Sequence, residues 1–136
     1  MRRKAIAALL LALALLLTAC AGGDITSEQV HLFYAARTET ARGGDAITSI
    51  KARIPGWADM TTNERAEQVL ERLLSGAAQG VGSPIPEGTE LLGCEVVGGT
   101  ASVDFSAPYG ELSGMALTIA DYCVTLSLTQ IPGIYA

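Results

Sequence analysis

The pair Gly98-Gly99 separates two short stretches of alternating apolar and polar residues, one over 91–97 and one over 100–105. A two-residue turn between paired strands needs positive backbone φ angles that glycine tolerates at no steric cost, so the pair predicts a hairpin and fixes its register. Val97 then faces Thr100, Val96 faces Ala101, Cys94 faces Val103 and Leu92 faces Phe105. One face collects Leu92, Cys94, Val96, Ala101, Val103 and Phe105, while the other holds Gly93, Glu95, Ser102 and Asp104. A ribbon that is apolar on one side needs a cover on that side, and amphipathic helices are the covers this chain offers.

Thr61-Thr62-Asn63-Glu64 has the spacing of a capping box, in which the Thr61 hydroxyl and the Glu64 carboxylate each satisfy the other's backbone amide. A helix is predicted from there, with Ala66, Val69, Leu70, Leu73 and Leu74 on one apolar stripe and Gly76 as its left-handed stop. A second helix is predicted over residues 112–130, with Met115, Ile119, Cys123 and Leu126 on the core-facing stripe. Leu117, Val124 and Leu128 lie elsewhere on its wheel, which predicts burial on a second side, under the first helix or at a partner surface. Before these, Val30 to Ala35 reads as a strand, and Ala46 to Ile54 as a second one ended by Pro55-Gly56.

The N-terminus has a different character. Arg2, Arg3 and Lys4 precede an apolar run from Ala5 to Leu17, the pattern of an export signal. Leu17-Thr18-Ala19-Cys20 resembles the lipobox of bacterial lipoproteins. That resemblance implies a signal peptide over residues 1–19, a diacylglycerol on the Cys20 thiol, a tether over 20–29 and a folded domain over 30–136. Removing 19 of the 136 residues leaves 117, enough for one domain. The tether residues 21–29, fully extended at about 3.4 Å each, span on the order of 30 Å, which keeps the domain near its membrane. The expected location is therefore the extracytoplasmic face of the cell membrane. Three of the nine basic residues fall in the signal, leaving six against fourteen acidic ones, a net charge of −8. Such a surface argues against nucleic acid as a partner and against electrostatic adhesion to anionic lipid.

Catalytic chemistry finds little footing. The single histidine, His31, sits among apolar and aromatic strand residues, and Asp104 lies on the polar hairpin face without a second acid nearby in sequence. No catalytic residue, metal ligand or cofactor is expected, and no small-molecule substrate is evident. Cys94 and Cys123 both point toward the predicted core, where they form either a disulfide or two buried thiols that pack as small apolar groups.

Three stretches together resemble the GerM domain of sporulation and germination lipoproteins. They are Ser83-Pro84-Ile85-Pro86-Glu87-Gly88-Thr89, Val103-Asp104-Phe105-Ser106, and Leu128-Thr129-Gln130-Ile131-Pro132-Gly133-Ile134. The resemblance implies a small α+β domain of the ring-building-motif type, a roughly three-stranded sheet with two helices on one face. It also implies a final strand after the Pro132-Gly133 turn, so the domain is expected to be C-terminally truncated. The function it implies is a non-catalytic assembly role, through protein partners or self-association, in a sporulation, germination or envelope complex. The alternative is a ligand- or glycan-binding envelope lipoprotein.

Overall fold

The structure, a computed structural model, describes residues 28–37, 45–76 and 81–136. The signal peptide, Cys20 and most of the tether lie outside the described residues. Strand β1 (Gln29–Ala36) alternates buried Val30, Leu32 and Tyr34 with outward residues, and it pairs antiparallel with β2 (Ile47–Arg53) in a register that sets Leu32 opposite Ile50. After a single 3-10 turn (Trp57–Asp59) comes helix α1 (Thr62–Leu74), followed by the short strand β3 (Val81–Gly82). The hairpin β4 (Leu91–Val97) and β5 (Thr100–Phe105) leads through the one-turn helix α2 (Ala107–Gly110) into α3 (Gly114–Thr129).

The fold is α+β, with its strands divided between a sheet of order β2-β1-β3 and the separate β4-β5 ribbon. Helix α1 packs against β1, β4 and α3, so Ala66, Val69, Leu70 and Leu73 join both sheets in one core with Val30, Leu32, Tyr34, Val124 and Leu128. The capping box forms as the sequence predicts. Thr61 Oγ1 accepts from Glu64 N at 3.3 Å, and Thr61 N donates to Glu64 Oε2 at 2.7 Å. Those hydrogen bonds, the one from the Thr61 amide foremost, hold the Glu64 carboxyl below its ordinary range. The support this gives α1 is present above the carboxylate's unfolded pKa and fades as pH falls through the lowered folded value.

The hairpin turn is as expected, with Gly98 at φ 60° and Gly99 at φ 85°, and Val97–Thr100, Val96–Ala101 and Cys94–Val103 pair in the predicted register. Gly99 has a second reason to lack a side chain, because a Cβ there would stand 2.5 Å from Tyr135 Cδ2. The expected Leu92–Phe105 pair does not form. Leu91 faces Phe105 instead, Gly93 faces Asp104, and Leu92 is the extra residue of a bulge, 61% exposed. The cause lies at the open end of the hairpin. Glu90 N donates to Ser106 Oγ at 2.8 Å and Ser106 N donates to Glu90 O at 2.9 Å, which fixes that end so that the seven residues of β4 must match the six of β5.

The orientation of α3 also departs from the expectation. Of the four residues assigned to its core stripe, Cys123 is fully buried, whereas Met115 is 73% exposed and Leu126 lies outward. The buried side is instead Ala120, Cys123, Val124, Ser127 and Leu128. A helix apolar nearly all the way round carries little information about which side faces in, and here polar side chains decide. Ser127 Oγ accepts from Phe33 N at 3.0 Å, and Gln130 Oε1 accepts from His31 N at 2.7 Å while its Nε2 donates to His31 O. These contacts turn Ser127 toward β1 and Met115 away from it.

After α3 the chain turns at Ile131-Pro132-Gly133-Ile134, where Ile134 N donates to Ile131 O at 3.0 Å and Gly133 takes φ 95°, a type II turn with proline and glycine in their favoured places. Ile131 and Ile134 are both buried. Tyr135 N and Ala136 N donate to Gly99 O, and Ala101 N donates to Ala136 O at 2.7 Å, so the tail lies along β5 and runs in the same direction.

Candidate interaction surface

Each strand in a small sheet leaves a row of backbone donors and acceptors that has to be paired, covered or guarded. Beyond its ladder with β2, β1 is paired with β3 at Ala35 and Ala36 and with Ser127 and Gln130 at Phe33 and His31. The Gln130 amide offers both a donor and an acceptor to one residue, as a neighbouring strand would. The outer edge of β4 receives the same treatment from the first turn of α1. Asn63 Nδ2 donates to Cys94 O at 3.1 Å, and Asn63 Oδ1 accepts from Val96 N at 2.7 Å. The outer strand β2 exposes Lys51 and Arg53, charges that discourage pairing with another chain.

The β5 edge is treated differently. Thr100, Ser102 and Asp104 stand opposite Val97, Glu95 and Gly93 in the β4 ladder, so the alternation of an antiparallel pair sends the N–H and C=O of Ala101, Val103 and Phe105 to the other side. The tail meets that side at Ala101. Among the described residues, nothing pairs with it at Val103. Beneath it runs a groove of about 260 Å³, walled by β5 and floored by Val124 and Leu128 of α3. Its far end is built by Tyr109, whose ring stacks on Phe105 at 4.6 Å and whose hydroxyl donates to Asp121 Oδ1 at 2.8 Å. Burial, and then the hydrogen bond to the Asp121 carboxylate and its charge, push the Tyr109 hydroxyl pKa well upward, so it stays a donor.

On the far side of α3, Met115, Ile119, Tyr122 and Leu126 recur at four-, three- and four-residue intervals. Met115, Tyr122 and Leu126 are exposed and Ile119 half-buried, giving an outward apolar stripe on a helix whose single charge is Asp121.

The residues weighed for chemistry remain scattered. His31 is exposed on β1, its Nδ1 3.5 Å from Ser49 Oγ, and Asp104 lies on the outer hairpin face beside Gly93 and Ser102. Among the described residues, no group of three or more His, Cys, Asp or Glu side chains is placed to hold a metal ion. Cys94 and Cys123 are free thiols. Cys123 is pushed up to about 11 by burial, and Cys94 is raised by burial and then by the nearby Glu67 charge, so both are protonated at neutral pH and pack as apolar groups. Among the described residues, no helix is long and apolar enough to cross a membrane.

The roles of Asn63, Ser127 and Gln130 are invisible to periodicity, since each is a polar residue in or beside a helix. The signal for Gln130 was its place between an apolar helix and a Pro-Gly turn, and for Asn63 its place inside a capping box. A family model described as Germane, sporulation and spore germination, matches residues 32–136. No curated protein and no solved structure gives a significant match.

Proposed function

Because the chain belongs to the Germane family of sporulation and spore germination, we propose that it is a lipid-anchored, non-catalytic assembly module of an extracytoplasmic complex serving that process. The observation that carries this reading is the outward stripe of α3. Three large apolar side chains, Met115, Tyr122 and Leu126, are held exposed on a helix of low charge, and a patch of this kind marks a protein contact. Cys20, at the end of its lipobox-like run, would fix the domain to the membrane surface, where two acyl chains at about 0.8 kcal/mol per buried CH₂ make attachment durable.

Two measurements test the reading. Changing Met115, Tyr122 and Leu126 together to aspartate should leave the melting curve nearly unchanged, since none of the three belongs to the buried core. It should also shift the protein, in detergent extracts of cells, from a high-mass complex to its monomer size. A triple variant that still migrates in the large complex refutes the assembly role of this face. Replacing Cys20 with serine should leave an uncleaved precursor or a protein released from the membrane fraction, and unchanged processing and fractionation would remove the lipid anchor from the account.

A further inference from the structure

We propose that the outward face of the β1–β2 pair is the surface this domain lays on its own membrane, in a shallow contact with the anionic headgroups of phospholipid. The inference rests on the lipid anchor at Cys20 and adds to it the direction in which the anchored domain faces. The strand register builds the face. Gln29 stands opposite Arg53, His31 opposite Lys51 and Phe33 opposite Ser49, on the side away from buried Val30, Leu32 and Tyr34. All of these but half-buried Phe33 are exposed. None of the six is acidic, in a chain whose part after the signal carries six basic residues against fourteen acidic ones. The repulsion from anionic lipid that the net charge implies is an average over the whole surface, and this face departs from it.

Tether length and charge choose the occupant. Seven residues, 21–27, separate Cys20 from Glu28 and reach roughly 24 Å when extended at about 3.4 Å each, whereas a domain of this size is roughly 35 Å across. The tether's end is fixed beside this face, because Glu28 O accepts from Ile54 N at 2.7 Å and Glu28 Oε2 accepts from Arg53 Nε at 2.6 Å. The Gln29–Arg53 end of the strands is thus held nearest the anchor, with Lys51 two residues along β2 from it. A lysine or arginine at an anionic surface gains roughly a fivefold preference for it. Lys51 supplies one such step, and Arg53, whose charge the Glu28 carboxylate partly offsets, adds a fraction of another. That is too little to hold a free protein and enough to orient a tethered one, since the anchor makes the contact intramolecular.

Lys51 is the single lysine after the signal, so acylation of its amine reports on this face alone. The test uses the full chain as processed by cells, reconstituted into vesicles of phosphatidylcholine and into vesicles of phosphatidylcholine mixed equally with phosphatidylglycerol, and treated with the neutral reagent N-succinimidyl acetate. Lys51 should react roughly threefold or more slowly on the anionic vesicles. The difference should vanish in 1 M salt, where charges are screened beyond about 3 Å. Arg53→Gln should remove more than half of the protection. Arg72→Gln makes the same change in charge on α1, which packs on the opposite side of β1, and should remove none of it. If Arg53→Gln fails to fold, the lipid and salt comparisons on the unaltered chain still decide the matter. Equal acylation on the two kinds of vesicle, or equal effects of the two variants, overturns the proposal. Protection that follows protein density in the neutral vesicles gives the face to a second copy and overturns it as well. Flotation keeps the two readings apart. A chain that floats with the neutral vesicles and shows no protection on the anionic ones loses this proposal alone, whereas one that does not float with the neutral vesicles loses the anchor and this proposal with it.

Discussion

Ile134→Ala is expected to lower stability by about 2–5 kcal/mol, as removal of a fully buried aliphatic side chain does when the site cannot collapse. Ile134 is 2% exposed and belongs to the same core as Leu70 and Leu128. At roughly 4–8 °C per kcal/mol for a domain near this size, the thermal midpoint should fall by about 10 °C or more. Two outcomes are separable. If the tail merely decorates the hairpin, the loss will stay under about 0.5 kcal/mol, the range of surface substitutions. If the Pro132-Gly133 turn drives Ile134 into the core as a structural plug, the full loss appears, and the amides of Ala101, Tyr135 and Ala136 lose hydrogen-exchange protection with it. Calorimetry on the single variant distinguishes the two.

The double change Ser127→Ala and Gln130→Ala should be comparably damaging for a different reason. It deletes no core volume of consequence, yet it orphans Phe33 N together with both backbone groups of His31. Leaving a donor or acceptor without a partner costs about 1–3 kcal/mol when water is kept out and less where water can enter, and His31 is exposed, so the pair should cost about 2–4 kcal/mol together. The more diagnostic consequence is association. An uncovered β1 edge is a template for another strand, and the double variant should form soluble oligomers that a Gln130→Glu single variant, still able to accept from His31 N, forms far less. A double variant that remains monomeric, with stability within about 0.5 kcal/mol of the parent, would show that the helix does not seal this edge.

The legibility of the fold tracks how strongly each segment constrains itself. Helix α1 was readable almost to the residue because its cap, its stripe and its stop are all local: Thr61 bonds Glu64, Ala66 to Leu73 share a face, and Gly76 takes φ 102°. The hairpin turn was readable because two glycines leave few alternatives. Its far end was not, since the Glu90–Ser106 pair that forces the bulge depends on two residues sixteen apart meeting, and no alternation announces that Leu92 will be the one turned out. Helix α3 was legible as a helix and illegible in rotation. With Leu117, Val124, Leu126 and Leu128 spread around it, what chose the inward side was Ser127 and Gln130 reaching β1 across 94 and 99 positions of sequence. The groove could not be read at all, because it exists between a strand edge and a helix that meet only in the folded chain. The outward stripe was foreshadowed only in kind, as surplus apolar surface on this helix; of Leu117, Val124 and Leu128, expected under the first helix or at a partner surface, Val124 and Leu128 are buried in the core that the first helix shares.

That long reach carries a consequence for the order of events during synthesis. Strands β1 and β2 are adjacent in the chain and can pair soon after they emerge, whereas the side chains that close the β1 edge arrive with residues 127 and 130, the latter 99 positions behind His31. The pair is complete only when Arg53 has emerged, and from there to Gln130, at about 5–20 residues per second, the interval is roughly 4–15 s. Throughout it the nascent β1–β2 pair carries an open flank at His31 and Phe33, long enough for another chain or a chaperone to find it. The last turn of the last helix therefore acts as a latch on the first strand, and the time from one to the other, more than the stability of the finished fold, sets how long the young chain is vulnerable.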